Sequence, residues 1–263
     1  MRARCNDIDV AWFEAGRGET LILIHGLGDD HRAWRRTLPD LMLNHRVVMY
    51  NLRGHGGTTA GRGDGTLRQL GGDLVALMDS IGIDHAHIAG FSLGGTIAMR
   101  MAIDHPARVR GLVLVATSSR VGRTAADRYR QRAEMVEHRD PQIRDTLDRD
   151  TADVYSESPA ELDAGLLIRR QSTSDPRGYG NACTAMAALN AAPLDPELPQ
   201  ISARTLVVAS ERDRHCPPKA AEIIAAGIKG SRLEIIPGAG HPIPVEKPGE
   251  LAGSMNSFLG ARG

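Results

Sequence analysis

The sequence of 263 residues predicts an α/β domain with a doubly wound, mostly parallel sheet and a helical lid inserted after the sixth strand. Three observations lead to this prediction. Short apolar runs, typical of strands buried on both faces of a parallel sheet, alternate with segments of helical periodicity. The alternation stops near residue 118 and resumes near residue 200. The segment between is charged and helix-like, so we expect it to be an insertion outside the sheet.

The apolar runs before the insertion are predicted strands, and two helices lie among them. The predicted strands are residues 8–13, 21–24, 46–50, 87–91 and 109–116. Thr66 opens the first helix in a capping box with Gln69, and Gly82 ends it. The second helix covers residues 94–104 and stops before Pro106. Because strands and helices alternate, we expect right-handed crossovers between parallel strands.

Residues 118–199 carry interleaved arginines and acids, in the manner of solvent-exposed helices. The expected apolar face of one such helix consists of three leucines, Leu162, Leu166 and Leu167. The α/β pattern then resumes, with strands at residues 205–209 and 233–236 and helices at residues 217–228 and 250–259. We therefore divide the chain into an α/β core, residues 1–117 and 200–263, and a helical lid, residues 118–199.

Composition and charge narrow the functional classes. The chain contains 32 Lys+Arg and 32 Asp+Glu residues, so it lacks the basic excess of a nucleic-acid binder. No apolar run reaches the roughly 18 residues of a membrane span, and no signal-peptide pattern follows Met1. Cys5, Cys183 and Cys216 lie far apart, without a zinc or disulfide spacing. We expect a cytoplasmic protein without a nucleic-acid or membrane partner, and the sequence carries no signal for an oligomeric state.

A serine stands between glycines where a predicted strand turns into a predicted helix, in the segment Gly90-Phe91-Ser92-Leu93-Gly94. This is the context of the G-x-S-x-G nucleophile elbow. Because the turn is sharp, side chains two residues before and after the serine would collide with neighbouring backbone. The turn holds the hydroxyl above the sheet and beside the N–H groups of the helix. Ser92 is therefore the candidate nucleophile, and a glycine-rich turn with an incidental serine is the alternative.

A serine hydroxyl is a poor nucleophile until a base takes its proton, and ten histidines are available. His241 follows the last predicted strand, and Asp213 follows the strand before it. Loops at the carboxyl ends of parallel strands converge on one crevice, and Ser…Asp…His is a known order of a catalytic triad. We expect His241 to be the base and Asp213 to orient it. Glu211 is the alternative acid, and His215 is the alternative base.

The glycine-rich loop His25-Gly26-Leu27-Gly28 follows a predicted buried strand. We expect the backbone N–H of Leu27, together with that of Leu93, to bind the oxyanion formed when a carbonyl is attacked. His25 and His55 are interpreted as structural histidines that hydrogen-bond the backbone. The first strand is not followed by a G-x-G-x-x-G segment with a downstream acid, so no dinucleotide site is predicted. Neither a cofactor nor a metal is expected.

Taken together, these motifs resemble the α/β-hydrolase superfamily, and within it the 3-oxoadipate enol-lactonases and related small esterases. The motifs fall in the family's order: His25-Gly26 with Trp34, Leu52-Arg53-Gly54-His55-Gly56, the serine elbow, Asp213 with Pro217-Pro218, and Gly240-His241. Residues 178–185 are similar to a lid helix of the enol-lactonases. Asn51 departs from the acidic residue that many relatives carry at this place. The resemblance implies the α/β-hydrolase fold.

The resemblance also implies hydrolysis of a small-molecule ester or lactone through an acyl-enzyme on Ser92. Two alternatives stay open: carbon–carbon bond cleavage of a ring-fission diketone by the same triad, and a catalytically idle ligand-binding protein of this fold. Substrate identity depends on the lid, because one fold hosts many activities. In the lid, Arg169 and Arg170 are candidate partners for a substrate carboxylate, since a guanidinium donates two parallel hydrogen bonds.

Overall fold

An eight-stranded sheet forms the centre of the molecule in a computed structural model, which describes residues 1–260. Its strands are β1 (Arg2–Cys5), β2 (Ile8–Ala15), β3 (Glu19–Ile24), β4 (His45–Tyr50), β5 (Ala86–Phe91), β6 (Val109–Val115), β7 (Arg204–Ser210) and β8 (Arg232–Ile236). Their order across the sheet is β1-β2-β4-β3-β5-β6-β7-β8. The pairs β1–β2 and β2–β4 are antiparallel. The other five pairs, β4–β3, β3–β5, β5–β6, β6–β7 and β7–β8, are parallel. The predicted doubly wound, mostly parallel sheet is confirmed.

The edge strand β1 is absent from the sequence prediction. It has four residues, of which Arg2 and Arg4 are exposed and only Cys5 is fully buried. So short a segment shows no clear alternation of polar and apolar residues, and its pairing with β2 defines it as a strand. At the other end, residues 261–263 of the predicted core segment 200–263 lie outside the described residues.

Helices cover both faces of the sheet. The α-helices of the described residues are α1 (Leu38–Leu41), α2 (Leu67–Ser80), α3 (Leu93–Asp104), α4 (Arg123–Glu137), α5 (Ile143–Val154), α6 (Leu162–Ser172), α7 (Arg177–Ala188), α8 (Pro218–Gly227), α9 (Ile243–Glu246) and α10 (Pro248–Gly260). Along β3, Ile22 and Ile24 join the apolar cluster of α2, α3 and α8, whereas Leu21 and Leu23 join that of α1 and α10. Every helix within residues 1–260 is too short or too polar to span a lipid bilayer.

Helix α2 begins where predicted, but its capping box is only half formed. Thr66 Oγ1 accepts a hydrogen bond from the Gln69 backbone N–H at 3.1 Å. The Gln69 side chain does not return to Thr66. Instead, the Thr66 N–H donates to Asp64 Oδ1 at 2.9 Å, and Gln69 Oε1 accepts from the Asp64 N–H at 3.0 Å. The reciprocal bond was wrongly predicted because Asp64 supplies an acceptor two residues upstream.

Helices α4–α7, which we call the insertion, lie between the sixth strand β6 and β7. The predicted position after the sixth strand is confirmed, although the sequence predicts only five individual strands before the insertion and β1 is not among them. Helices α5 and α7 share an apolar cluster of Ile143, Leu147, Tyr179 and Cys183. The predicted leucine face of α6 is only partly correct. Leu162 and Leu166 are half-buried, whereas the fully buried residues of α6 are Gly165, Ile168 and Ser172. Leu167 is 56% exposed. A Cβ at Gly165 would lie 2.5 Å from the Tyr155 ring, so this glycine allows the close packing of α6.

Candidate active site

Ser92 lies in a tight turn between β5 and α3 and has φ 53° and ψ −120°. A non-glycine residue with positive φ is strained, and such strain is common at functional sites. The flanking glycines make the turn possible. A Cβ at Gly90 would lie 2.2 Å from the Gly94 carbonyl oxygen, and one at Gly94 would lie 2.4 Å from the Ile24 carbonyl oxygen. The steric reason given for the G-x-S-x-G spacing is therefore confirmed.

The three side chains predicted as a triad form one chain of hydrogen bonds. His241 Nε2 lies 3.1 Å from Ser92 Oγ, and His241 Nδ1 lies 2.8 Å from Asp213 Oδ2. Strands β7 and β8 are neighbours in the sheet, so the loops that follow them bring Asp213 and His241 together. With Asp213 on one ring nitrogen, the other nitrogen is free to accept a proton from the hydroxyl.

Asp213 is held as a carboxylate. Burial by itself raises the pKa of this group, but hydrogen bonding and charge from His241 lower it, and the net pKa is below the usual value. The backbone N–H groups of His215 and Cys216 both donate to Asp213 Oδ1 at 2.8 Å. The side chain is fully buried. Asp213 is therefore ionised and fixed in position, as an orienting acid must be.

Neither alternative residue joins this chain. Glu211 is exposed, and its Oε2 accepts from the Gly238 N–H at 2.9 Å. The His215 ring lies 5.0 Å from the His241 ring, with its Nε2 at 3.5 Å from Asp153 and no hydrogen bond to Ser92. The structure thus brings together Ser92, Asp213 and His241 and leaves both alternatives outside.

The two amides predicted to bind an oxyanion belong to Leu27 and Leu93. Within residues 1–260, neither the Leu27 N–H nor the Leu93 N–H donates a hydrogen bond. Leu93 is the first residue of α3, so its N–H has no acceptor inside the helix. Leu27 lines the same cavity as Ser92. Both amides are therefore available to a substrate oxygen.

The interpretation of His25 and His55 as structural is confirmed. His25 Nδ1 lies 2.8 Å from the Gly26 carbonyl oxygen, and its Nε2 accepts the Leu52 N–H at 2.9 Å. His55 Nδ1 lies 3.0 Å from the Arg53 carbonyl oxygen. Both rings are completely buried, and burial lowers the pKa of each histidine from 6.5 to about 4.

Two buried neutral histidines should make the protein acid-labile. The unfolded chain takes up a proton near pH 6.5, whereas the folded chain does so only near pH 4, so stability is lost as pH falls through this window. We expect the free energy of unfolding to be lower at pH 5 than at pH 7.5 by about 2 kcal/mol per histidine. Urea titrations at the two pH values measure this difference.

The matched variants for this test are His55→Gln and His85→Gln, because His85 is an exposed histidine. His55→Gln should reduce the pH-dependent difference, whatever it does to stability at pH 7.5. His85→Gln should leave that difference unchanged. Equal free energies of unfolding at pH 5 and 7.5 in the unmodified protein would contradict the role of the buried histidines.

A cavity of about 340 Å³ lies between the carboxyl ends of the strands and the insertion. Ser92 and His241 line it on the core side. On the insertion side it is lined by residues of all four helices, including Tyr129, Asp150, Arg169 and Tyr179. Sequence reasoning missed most of these side chains, since the side of a polar helix that faces a cavity carries no distinct signal. Cys216 also lines the cavity, and its position three residues after Asp213 could have indicated it.

The structure separates the predicted arginine pair. Arg169 lines the cavity, and its Nε donates to Asp29 Oδ1 at 3.0 Å. Its two Nη groups donate no hydrogen bond within residues 1–260. Arg170 lies outside the cavity with a side chain 58% exposed, paired with Asp148 through Nη2 at 2.7 Å. Consecutive helical residues point about 100° apart, so the structure places Arg170 away from the cavity that Arg169 lines.

Among the described residues, no group of three or more His, Cys, Asp or Glu side chains is arranged to hold a metal ion.

Comparison with known proteins places the chain in a family. The pattern of the alpha/beta hydrolase fold family matches residues 19–248. The chain belongs to this family. The α/β hydrolase is 28% identical over 241 residues to 3-oxoadipate enol-lactonase 1 of Acinetobacter baylyi, covering 91% of this chain and 88% of the relative. It is 29% identical over 249 residues to the putative carbamate hydrolase RutD of Variovorax paradoxus, covering 92% of each.

The solved structures agree with the sequence relatives. The α/β hydrolase superimposes on the enol-lactonase from Burkholderia xenovorans LB400 with a TM-score of 0.88 and 26% identity, over 99% of this chain and 100% of the other. The resemblance stated from the motifs alone, to the α/β hydrolases and within them to the enol-lactonases, is confirmed.

Proposed function

We propose that this α/β hydrolase cleaves a small carboxylic ester or lactone through an acyl-enzyme on Ser92. The observation that carries the proposal is the hydrogen-bonded chain from Ser92 Oγ through His241 to Asp213, in which Ser92 and His241 line the cavity. Ser92 Oγ attacks the carbonyl carbon while His241 Nε2 takes the hydroxyl proton. Asp213 holds the imidazole in the required tautomer and stabilises the imidazolium.

The oxyanion of the tetrahedral intermediate accepts hydrogen bonds from the Leu27 and Leu93 amides. His241 then gives its proton to the leaving alkoxide oxygen, and the carbonyl re-forms on Ser92 as an ester. A water molecule, deprotonated by His241, attacks this ester. The bond from the acyl carbon to Ser92 Oγ then breaks, His241 returns the proton to Ser92 Oγ, and the acid is released. The reaction needs only substrate and water, so the proposal includes no cofactor or metal.

The match to enol-lactonases supports an ester or lactone as the substrate. The relatives and the structural neighbour named as enol-lactonases match nearly the whole chain, including the insertion.

The insertion forms one wall of the cavity, and we propose that residues 118–199 act as a lid over the core of residues 1–117 and 200–263. The three cysteines are free thiols. Because thiols stay reduced in the cytosol, we propose that the protein acts in the cytoplasm.

A substrate panel tests the function directly. We expect hydrolysis of an aryl acetate and of a five-membered enol lactone, and a fluorophosphonate should label the Ser92 peptide, as identified by mass spectrometry. An aryl carbamate and a ring-fission diketone complete the panel. Cleavage of the diketone alone would support carbon–carbon bond hydrolysis instead. If the folded protein cleaves none of the four and takes no label, the proposal is wrong.

The free Nη groups of Arg169 lead us to propose that the substrate carries a carboxylate. Arg169→Gln should raise KM for an anionic ester relative to its neutral isostere, because loss of one charge-assisted contact costs about 1.5–3 kcal/mol, or one to two decades in affinity. The ratio of the two KM values is the measurement, since any general damage to the site affects both esters. The control is Arg170→Gln, which should leave the ratio unchanged. Equal rises in both KM values would show that Arg169 does not read charge.

A further inference from the structure

The loop that carries the Leu27 amide is bound to the insertion by the carboxyl-terminal end of α6. Arg169 Nε donates to Asp29 Oδ1 at 3.0 Å, and Ser172 Oγ donates to the Asp29 carbonyl oxygen at 2.5 Å. Two side chains of α6 therefore converge on one residue of the loop, and that residue lies two positions after Leu27. We call residues 26–29 the amide loop.

Asp29 also closes the amide loop. Its backbone N–H donates to the Gly26 carbonyl oxygen at 3.3 Å, so the turn that contains Leu27 is bounded by Gly26 and Asp29. Gly28 within the turn has φ 76° and lies under Tyr179 of α7. The direction of the Leu27 N–H is set by the peptide planes of this turn, and Asp29 anchors one end of it.

The Asp29–Arg169 ion pair is buried, which distinguishes it from the Arg170–Asp148 ion pair of the same helix. The side chains of Asp29 and Arg169 are 5% and 12% exposed. The next residue of the helix, Arg170, pairs with Asp148, and these side chains are 58% and 30% exposed. Separating a buried ion pair leaves uncompensated charges away from water, which is costly, so such a pair holds its geometry. An exposed ion pair contributes little to stability.

We propose that Asp29, held by Arg169 and Ser172 of α6, is a positioning residue for the Leu27 amide, so that the docked insertion completes the oxyanion site. This inference rests on the proposed function, because it assigns a task within that reaction. It gives the insertion a part in the chemical step in addition to its part in the cavity wall. The Leu93 amide, at the start of α3, depends only on the core.

The variant that tests this inference is Asp29→Asn, with Asp148→Asn as its matched control. The substrate is a neutral aryl ester, so that no ionic contact between Arg169 and the substrate affects the measurement. We expect Asp29→Asn to lower kcat about ten- to hundredfold, because a misplaced oxyanion donor costs rate in that range, with little change in KM. Asp148→Asn should leave kcat unchanged. An unchanged kcat in Asp29→Asn, or an equal loss in Asp148→Asn, overturns the inference.

Binding of an aryl boronic acid, which forms a tetrahedral adduct with an active serine, separates positioning from a general structural effect. Its affinity should fall in Asp29→Asn by the same factor as kcat, while a fluorophosphonate still labels Ser92. Loss of kcat without loss of boronate affinity overturns the inference. Should Asp29→Asn not fold, Arg169→Lys, which keeps the charge but loses the Nε–H, must show the same parallel loss. If the unmodified protein hydrolyses no ester, the proposed function itself is refuted. That result is distinct from the changes in kcat and boronate affinity of the variants, which test only this inference.

Discussion

Ser92→Ala is expected to lower kcat for an aryl ester by at least about 10⁴-fold, because it removes the atom that forms the acyl-enzyme. The fold should persist, since alanine has nearly the same volume as serine. Ser92 Oγ makes its hydrogen bond to His241, so the turn between β5 and α3 does not depend on the hydroxyl. Steady-state kinetics and circular dichroism of the purified variant measure the two expectations.

Ser118→Ala is the matched control for this change. Ser118 lines the same cavity, but its Oγ donates to the Arg120 carbonyl oxygen at 2.9 Å and has no hydrogen bond to Ser92, Asp213 or His241. We expect it to keep most of the activity and the fluorophosphonate label, both of which Ser92→Ala should lose. A Ser92→Ala protein that retains substantial turnover of the aryl ester would refute the acyl-enzyme mechanism.

Asp213→Asn is expected to lower kcat by about 10⁴-fold, the size of effect known for a triad in which histidine is held in the wrong tautomer. The structure explains how this would occur here. Two backbone N–H groups, from His215 and Cys216, donate to one carboxylate oxygen. In the variant they orient the amide oxygen towards themselves, so the amide NH₂ faces His241 Nδ1. His241 then carries its proton on Nε2 and is unable to accept one from Ser92.

Glu211→Gln is the control that compares the two candidate acids. Glu211 is exposed and, like Asp213, lies in the loop that follows β7. The substitution therefore removes a carboxylate from that loop, and this carboxylate accepts from the Gly238 N–H and not from His241. We expect kcat within a few-fold of the unmodified enzyme, as for most exposed substitutions. The reverse pattern, with a large loss in Glu211→Gln and a small one in Asp213→Asn, would show that Glu211 is the orienting acid.

Much of the site could be predicted because its signals are local in the chain. The apolar run of β5, the glycines around Ser92 and the start of α3 are contiguous, and the steric demand of the turn acts over two residues on each side. The parallel strands are also local signals, because burial on both faces requires an unbroken apolar run. The edge strand β1 lacks this signal, since Arg2 and Arg4 face solvent and pairing alone defines it.

The sequence by itself determined the order of strands β2–β8 and of the helices α2, α3, α8 and α10 that pack on them. It also indicated the candidate nucleophile, one preferred base and acid, and one alternative for each. Only the tertiary structure showed that Asp213 and not Glu211 lies within hydrogen-bond distance of His241, and that Arg169 and not Arg170 lines the cavity. In both cases the candidates are one or two residues apart, and the direction of each side chain depends on how its loop or helix is rotated. That rotation is set by packing between segments far apart in the chain, here β8 against β7 and α6 against the amide loop.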